Sequence, residues 1–386
     1  MLYKSFRTIG LILTLVLSTS GYALEQDGFS TSPTTNNGKR WRVAYYQGGP
    51  QNNYYDYLEA TVKGLMTLGW LQTTEMPSHM EKNTRSFWKW LSNEIKSDYI
   101  EFVNDAYYDS EWNNELRIDT RNRLITRFNE QKDIDLTIAM GTWAGKDLAN
   151  NEHSVPTMVM SASDPLKAQI IKSIDDSGFD HIHARVDPQR YERQIRLFHN
   201  LVNFKKLGVA YENSVYGRTY AAIDLIEKVA SEDDFEIVKC YTESDISDRT
   251  QAEESVLNCF KELASKVDAI YVTVQGGVNS QTIPKLVEVA NRYRISTFSQ
   301  LGSEEVKYGF FLSISRAGGF KPVGVFLAAT MSKIFNGAKP RNLNQLFEEA
   351  PNIAINLKTA QQIGIYLYAD VLAAADEIYR EIETPE

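Results

Sequence analysis

Short apolar runs alternate with longer stretches in which apolar positions recur at helical spacing, and the whole alternation occurs twice along the chain. Val43-Ala44-Tyr45 ends one apolar run and is followed by a polar turn and a helical stretch; Val209-Ala210-Tyr211 does the same. Later in each copy an acid opens a β-rich run that stops at small or polar residues, Asp135 to Thr142 and Asp268 to Gly276. The first copy predicts strands over 42–47, 99–103, 135–140 and 155–160, with helices over 54–69, 113–130 and 143–150. The second predicts strands over 207–211, 235–241, 268–274 and 295–299, with helices over 216–230, 249–265 and 280–293. The residues of the two copies hardly match, so the repeat is architectural. Strands alternating with helices imply right-handed βαβ units and parallel sheets. The expected fold class is therefore α/β, two Rossmann-like lobes whose strand ends face one another across a cleft that can hold a small molecule.

Residues 71–98 interrupt the symmetry, and their Phe87, Trp88 and Trp90 suit either a lid or, more plainly, the packed face of an amphipathic helix. After Phe310 the pattern predicts a strand, a long helix from Gly318 to Phe335, a break at Gly337 to Pro340, a strand from Ala354 to Leu357 and a last helix from Tyr366 to Ile382. The implied organisation is a first lobe of 41–185 plus 312–338, a second lobe of 186–311 plus 339–365, and a C-terminal helix within 366–386. Chain crossings are expected near Ala184 to Pro188, Ser313 to Ala317 and Gly337 to Arg341, making a three-stranded hinge.

Met1 to Ala23 has the form of a secretory leader, with Lys4 and Arg7 ahead of the apolar run Ile9 to Leu17 and small residues at Gly21 and Ala23. That run is short of the roughly 20 residues a spanning helix needs. Residues 24–40 are polar and rich in Ser, Thr, Asn and Gly, the composition of a disordered lead-in. The net charge of -9 becomes more negative once Lys4 and Arg7 leave with the leader, which argues against nucleic acid as a partner. Export allows Cys240 and Cys259 to pair. However, Cys259 falls about ten residues into a helix, roughly 15 Å from its start, whereas a disulfide needs Cα atoms within about 7 Å. Two reduced core cysteines are the expectation.

Side chains at the C-terminal ends of strands look into the cleft. In the first lobe these are Tyr45, Gln47, Gly48, Gly49, Gly141, Thr142, Trp143, Ser161 and Asp164; in the second, Tyr211, Asn213, Ser214, Tyr216, Gln275, Gly276 and Gln300. Gly141 lets a ligand approach the backbone, and the Thr142 hydroxyl with free helix-start amides suits a carboxylate, unless Thr142 only caps its helix. Asp164 could meet an ammonium or a sugar hydroxyl, or simply make the turn before Pro165. Trp143, Tyr45, Tyr211 and Tyr216 could stack on a ring.

The stretch Asp135 to Ser173, with Gly141-Thr142 and Ser161 to Pro165, resembles substrate-binding proteins of ABC transporters of the tryptophan/tyrosine type. Leu207 to Ser214, Val267 to Val272 and Pro351 to Gly364 share the resemblance, in the same order. It implies a type I periplasmic-binding-protein fold, a periplasmic location and a small-molecule ligand, an aromatic amino acid or a related compound. It also implies a monomer that delivers this ligand to an ABC permease in the inner membrane. On this basis Thr142, Ser161, Asp164, Tyr211, Asn213 and Ser214 fall on ligand loops. Where such proteins often carry an acid or Asn after the later second-lobe strands, this chain has Gln275-Gly276-Gly277 and Ser299-Gln300-Leu301, which weakens the case for an α-amino group as the feature read. A closed form presented to a membrane sensor kinase is the alternative output.

An exported α/β hydrolase is the competing class. The chain lacks a G-x-S-x-G elbow, an H-E-x-x-H helix and a P-loop. Ser86 to Lys89 matches S-x-x-K by spacing alone, and His181 and His183 lack a third neighbouring ligand. No catalytic residue, metal or cofactor is expected.

Overall fold

The computed structural model describes residues 28–76, 82–316, 319–348 and 351–385. The expected leader and its cleavage point lie outside them. The first lobe runs β1 (Trp41–Gln47), α1 (Asn52–Thr67), α2 (Thr84–Glu94), β2 (Ile100–Asp109), α3 (Asn114–Glu130), β3 (Leu136–Met140), α4 (Gly141–Leu148), β4 (Thr157–Met160) and β5 (Ile182–Ala184). The second begins α5 (Arg190–Val202), β6 (Lys206–Tyr211), α6 (Val215–Tyr220), α7 (Ile223–Asp233), β7 (Glu236–Tyr241), α8 (Arg249–Leu263) and β8 (Ala269–Val272). It continues α9 (Ile283–Tyr293), β9 (Ser296–Ser299), α10 (Ser303–Lys307) and β10 (Leu312–Arg316). The chain then makes α11 (Lys321–Phe335), β11 (Pro351–Asn356), α12 (Leu357–Ile363), α13 (Ala369–Ala374) and β12 (Glu377–Tyr379).

The first sheet is ordered β2-β1-β3-β4-β5 and the second β12-β11-β10-β9-β8-β6-β7. Reading β6 to β10 as a second copy of β1 to β5 gives the same order, so the repeat seen in the apolar pattern is a repeat of topology. All pairings are parallel except β10 with β11. The inner strands are apolar on both faces because helices cover both. Val43 and Tyr45 join one core cluster of the first lobe and Ala44 and Tyr46 the other, the period-two signature of a strand. In each sheet the strand order reverses at the first strand of the copy, β1 or β6. Open α/β sheets bind ligands at such a switch point.

Several expectations are corrected. Residues 28–40 are not a disordered lead-in: the Trp41 indole donates to the Thr34 carbonyl (2.8 Å), Trp70 to Thr31 (2.9 Å), and Asn336 to Ser30 and Ser32. Their polar composition is satisfied by backbone bonds to the first lobe. Residues 312–316 belong to the second sheet, so only α11 returns to the first lobe, against α1. Nor does the chain cross at Gly337 to Arg341. Arg341 pairs with Asp176 and Asp180, and Val186 donates its amide to the Gln345 carbonyl and accepts the Phe347 amide, so the chain is still on the first lobe at Phe347 and is in the second sheet at Pro351.

The last helix, expected from Tyr366 to Ile382, is only α13, because residues 377–379 instead add β12 to the edge of the second sheet. Cys240 and Cys259 form a disulfide with Cα atoms 5.6 Å apart. The connection from Thr242 to Asp248 carries the start of α8 past the end of β7, so the third turn of the helix comes back level with Cys240. The 71–98 aromatics pack inward: the Trp88 indole donates to the Val103 carbonyl and Phe87 lies on Tyr55, both rings buried. No helix among the described residues is long and apolar enough to cross a membrane.

Candidate functional site

The strand ends of both sheets enclose one cavity. Its walls come from both lobes and leave little free space between them. Its narrowness follows from the lobes being shut. Arg117 of α3 is held by two bonds to Asp147 (2.9 and 2.7 Å). Its guanidinium lies over Trp143 (4.4 Å) and over Tyr216 of the other lobe (5.0 Å), and it donates to the Tyr216 hydroxyl (3.1 Å). Lys167 pairs with Asp224 across the same gap.

From the first lobe the walls are Gln51, Asn53, Tyr54 and Tyr57 at the start of α1, Trp112, Thr142, and the Ser161 to Ser163 turn. The glycines serve these aromatics. A Cβ on Gly141, at φ +85°, would lie 1.8 Å from the Tyr54 hydroxyl, and one on Gly49 would lie 2.5 Å from the Trp112 ring. Gly48 likewise leaves room for Trp143. Thr142 does not cap α4: the cap position is Met140, which offers no side-chain acceptor, and Thr142 faces the cavity.

From the second lobe come Arg190 and Tyr191 at the start of α5, Tyr220 at the end of α6, Asp245 in the β7–α8 loop, Val274 to Gly276 after β8, and Leu301 after β9. Gln275 is committed internally: its amide donates to the Ala210 carbonyl and accepts from Thr242. Gly276 donates its amide to Ser244 (2.9 Å). The Arg190 guanidinium donates to the Gln300 carbonyl (3.3 Å).

Asn53 Oδ1 is buried in this wall with no hydrogen-bond partner, and Asp245 Oδ2 is buried with only the Tyr220 hydroxyl beside it. Asn53 Oδ1 can only accept, and so can Asp245 Oδ2 once its carboxyl is ionised. Burial, and then the neighbouring Glu212, push the Asp245 carboxyl up to about 7. Unpaired buried acceptors cost free energy that a donor-bearing ligand recovers.

Of the positions expected at the site, Thr142, Ser161, Gln275 and Gly276 reach the cavity. Trp143 and Tyr216 meet at its rim. The others are corrected. Tyr45 is core, stacked on Tyr107 with its hydroxyl on Gln47, and Gln47 is bonded to Asp109. Tyr211 is buried edge-on to Tyr241. Asn213 is exposed, and Ser214 caps α6 through the Gly217 amide. Asp164 accepts the Lys167 amide and makes the plain turn. Gln300 bonds Val274 and Tyr220 and braces two loops. These side chains lie on strands, where alternate residues point into helices, or at caps. The sequence reading missed the cluster Asn53, Tyr54 and Tyr57, for which a tyrosine-rich helix start after Gly48-Gly49 was the available signal. It also missed Asp245, an acid on a loop of the edge strand rather than after the later strands.

His181 and His183 do not converge on a metal. His181 packs on His153 (4.5 Å between ring centroids) and His183 bonds the Asn344 carbonyl (2.9 Å). No group of three or more possible ligands occurs among the described residues.

A family model described as ABC transporter substrate binding protein matches residues 100–379. A tyrosine-binding protein from Clostridioides difficile is 24% identical over 236 residues, 59% of this chain and 61% of that one, so the match spans under two thirds of the relative's length. Two solved structures share the fold with a TM-score of 0.66 each, at 18% identity over 88% of this chain and 100% of theirs. One is a conserved domain protein from Vibrio cholerae; the other is a Streptococcus pneumoniae ABC domain in complex with L-Trp.

Proposed function

The chain belongs to the ABC transporter substrate-binding protein family and has the type I periplasmic-binding-protein fold; on that premise we propose that it is an exported, monomeric receptor that shuts on an aromatic α-amino acid and hands it to an ABC permease. The observation that carries this reading is the pair of buried acceptors, Asn53 Oδ1 and the Asp245 carboxylate, in a cavity whose lining also holds four tyrosines and a tryptophan.

An ammonium supplies donors to those two acceptors, and charge-assisted bonds of this kind contribute about 1.5–3 kcal/mol each. Arg190, Thr142 and the Ser161 to Ser163 turn supply donors for a carboxylate. Tyr54, Tyr57, Trp112, Tyr191 and Tyr220 take the ring, at about 0.5–1.5 kcal/mol per aromatic pair beyond area burial. The names of the C. difficile and S. pneumoniae proteins point to the same ligand class. Contacts from both lobes exist together only when the lobes are shut, so the ligand's differential affinity sets the open and closed populations and the permease reads the closed form. The role proposed is binding without turnover, as in the substrate-binding protein family.

Calorimetric titration with L-tryptophan and L-tyrosine tests this. At least one is expected to bind, with Asp245→Asn lowering affinity roughly thirtyfold and 3-phenylpropionate, which lacks the amine, failing to bind. Equal binding of the deaminated compound would overturn the reading.

A further inference from the structure

Asp245 is aimed at the cavity by a loop that has little apolar anchorage, and what ties that loop down is a second carboxylate. Glu212, just after β6, accepts both the Ser244 amide (3.0 Å) and the Asp245 amide (2.8 Å) on one oxygen, Oε2. The loop is completed by Thr242 on Gln275 (2.7 Å) and by Ser244, whose hydroxyl receives the Gly276 amide (2.9 Å). On the Asp245 side chain, Oδ1 takes the Ser244 hydroxyl (3.4 Å) and Oδ2 is buried beside the Tyr220 hydroxyl. We propose that Glu212 is the positioning residue of the ammonium subsite, holding the Ser244–Asp245 backbone so that the Asp245 carboxylate faces the ligand. This rests on the reading of the cavity as an ammonium site.

An uncharged acceptor could hold two amides as well as a carboxylate does, so the charge of Glu212 has a consequence of its own. A like charge beside a buried acid favours its protonated form. Asp245 is faced by Glu212 and, acting in the opposite sense, by the Tyr220 hydroxyl at the end of α6, the Ser244 hydroxyl and Arg117 of α3, with Tyr54 of α1 also near it. Glu212 is thus set against Asp245 ionising until a cation enters the cavity. Capture of the ammonium then releases a proton from Asp245 to solvent, and affinity rises with pH until Asp245 is ionised without ligand. The same contact that places the carboxylate fixes the pH at which it becomes usable.

The test uses the full chain in two measurements. In the first, the Asp245 carboxyl carbon of ligand-free protein is followed by ¹³C NMR over a pH series, its signal identified by its loss in Asp245→Asn. The midpoint near 7 is expected to fall by roughly one unit in Glu212→Gln. In the second, L-tryptophan affinity is measured at pH 6 and pH 8. Glu212→Ala, which frees the loop, is expected to lose roughly tenfold or more at pH 8; Glu212→Gln, which keeps an acceptor, should lose less and show a smaller rise from pH 6 to pH 8. If both Glu212 variants keep the wild-type midpoint and pH dependence, the inference is wrong even where Asp245→Asn abolishes binding. If Asp245→Asn binds L-tryptophan like the wild type, the ammonium reading is wrong, and the NMR midpoint still decides what Glu212 does to Asp245.

Discussion

The two lobes share a strand order and differ in the ionisable groups they bury: both hold acids raised by burial, and the first adds buried histidines. In the first lobe, burial drives His153 and His183 down to about 4, so both rings are neutral at ordinary pH. In the second, burial lifts Glu305, bonded to the Ser299 hydroxyl (2.6 Å), to about 7, and with Glu212 lifts Asp245 to the same region. Asp109 of the first lobe is also raised by burial, tempered by the Glu111 amide, Gln47 and Arg85. The cavity walls differ too: both lobes bring rings and hydroxyls, and the second alone adds a guanidinium, Arg190, and a carboxyl, Asp245. Repeating a topology therefore repeats the frame for a site, while the chemistry of each half is free to diverge.

The largest effect that tests this contrast is on pH. A histidine whose folded pKa is depressed adds stability that is complete above its unfolded value near 6.5 and is lost as pH falls toward 4, about 3 kcal/mol for each of His153 and His183. Glu305 runs the other way: its contribution is complete below its ordinary value of 4.5 and is lost as pH rises through about 7. Hydrogen exchange, corrected for intrinsic rates, should show β3 and β4 losing protection between pH 6.5 and 4 while β8 and β9 gain it. Parallel slopes in the two sheets would break the comparison.

Next in size is the disulfide, which only the second lobe carries. Replacing both cysteines, Cys240→Ser with Cys259→Ser, is expected to cost about 3 kcal/mol on the loop-closure argument. The loss should appear in denaturant unfolding as weaker protection of β7 and α8, with β1 to β5 unaffected. Loss spread evenly over both sheets would show that the lobes do not respond separately.

The smallest effect concerns the seam where the halves meet. Tyr216→Phe removes the hydroxyl that Arg117 bonds across the rim and keeps the ring beneath the guanidinium. About 1 kcal/mol is expected to leave the closed state, a roughly fivefold fall in its weight relative to the open form without ligand. Small-angle scattering of the ligand-free protein should then report a larger radius of gyration. An unchanged radius would remove Arg117 and Tyr216 from the account of closure.

The alternation of strands and helices, the doubling of the pattern and the parallel sheets were legible in the chain because apolar periodicity is local: Val43 and Tyr45 must point away from Ala44 and Tyr46 whatever else surrounds them. Thr142 and Ser161 could be placed near the cleft because they follow strands in parallel sheets. What local pattern could not decide was every feature set by how far a loop carries the chain before it turns back. The length of the connection from Thr242 to Asp248 brings Cys259 level with Cys240 and Asp245 into the cavity. The bonds of Arg341 and Gln345 to the first lobe delay the last crossing, and a vacant edge at β11 recruits residues 377–379 as a strand where their spacing suited a helix. Charge placement is decided in the same way, since a carboxylate raised by burial beside Glu212 exists only once two loops distant in sequence are folded against each other.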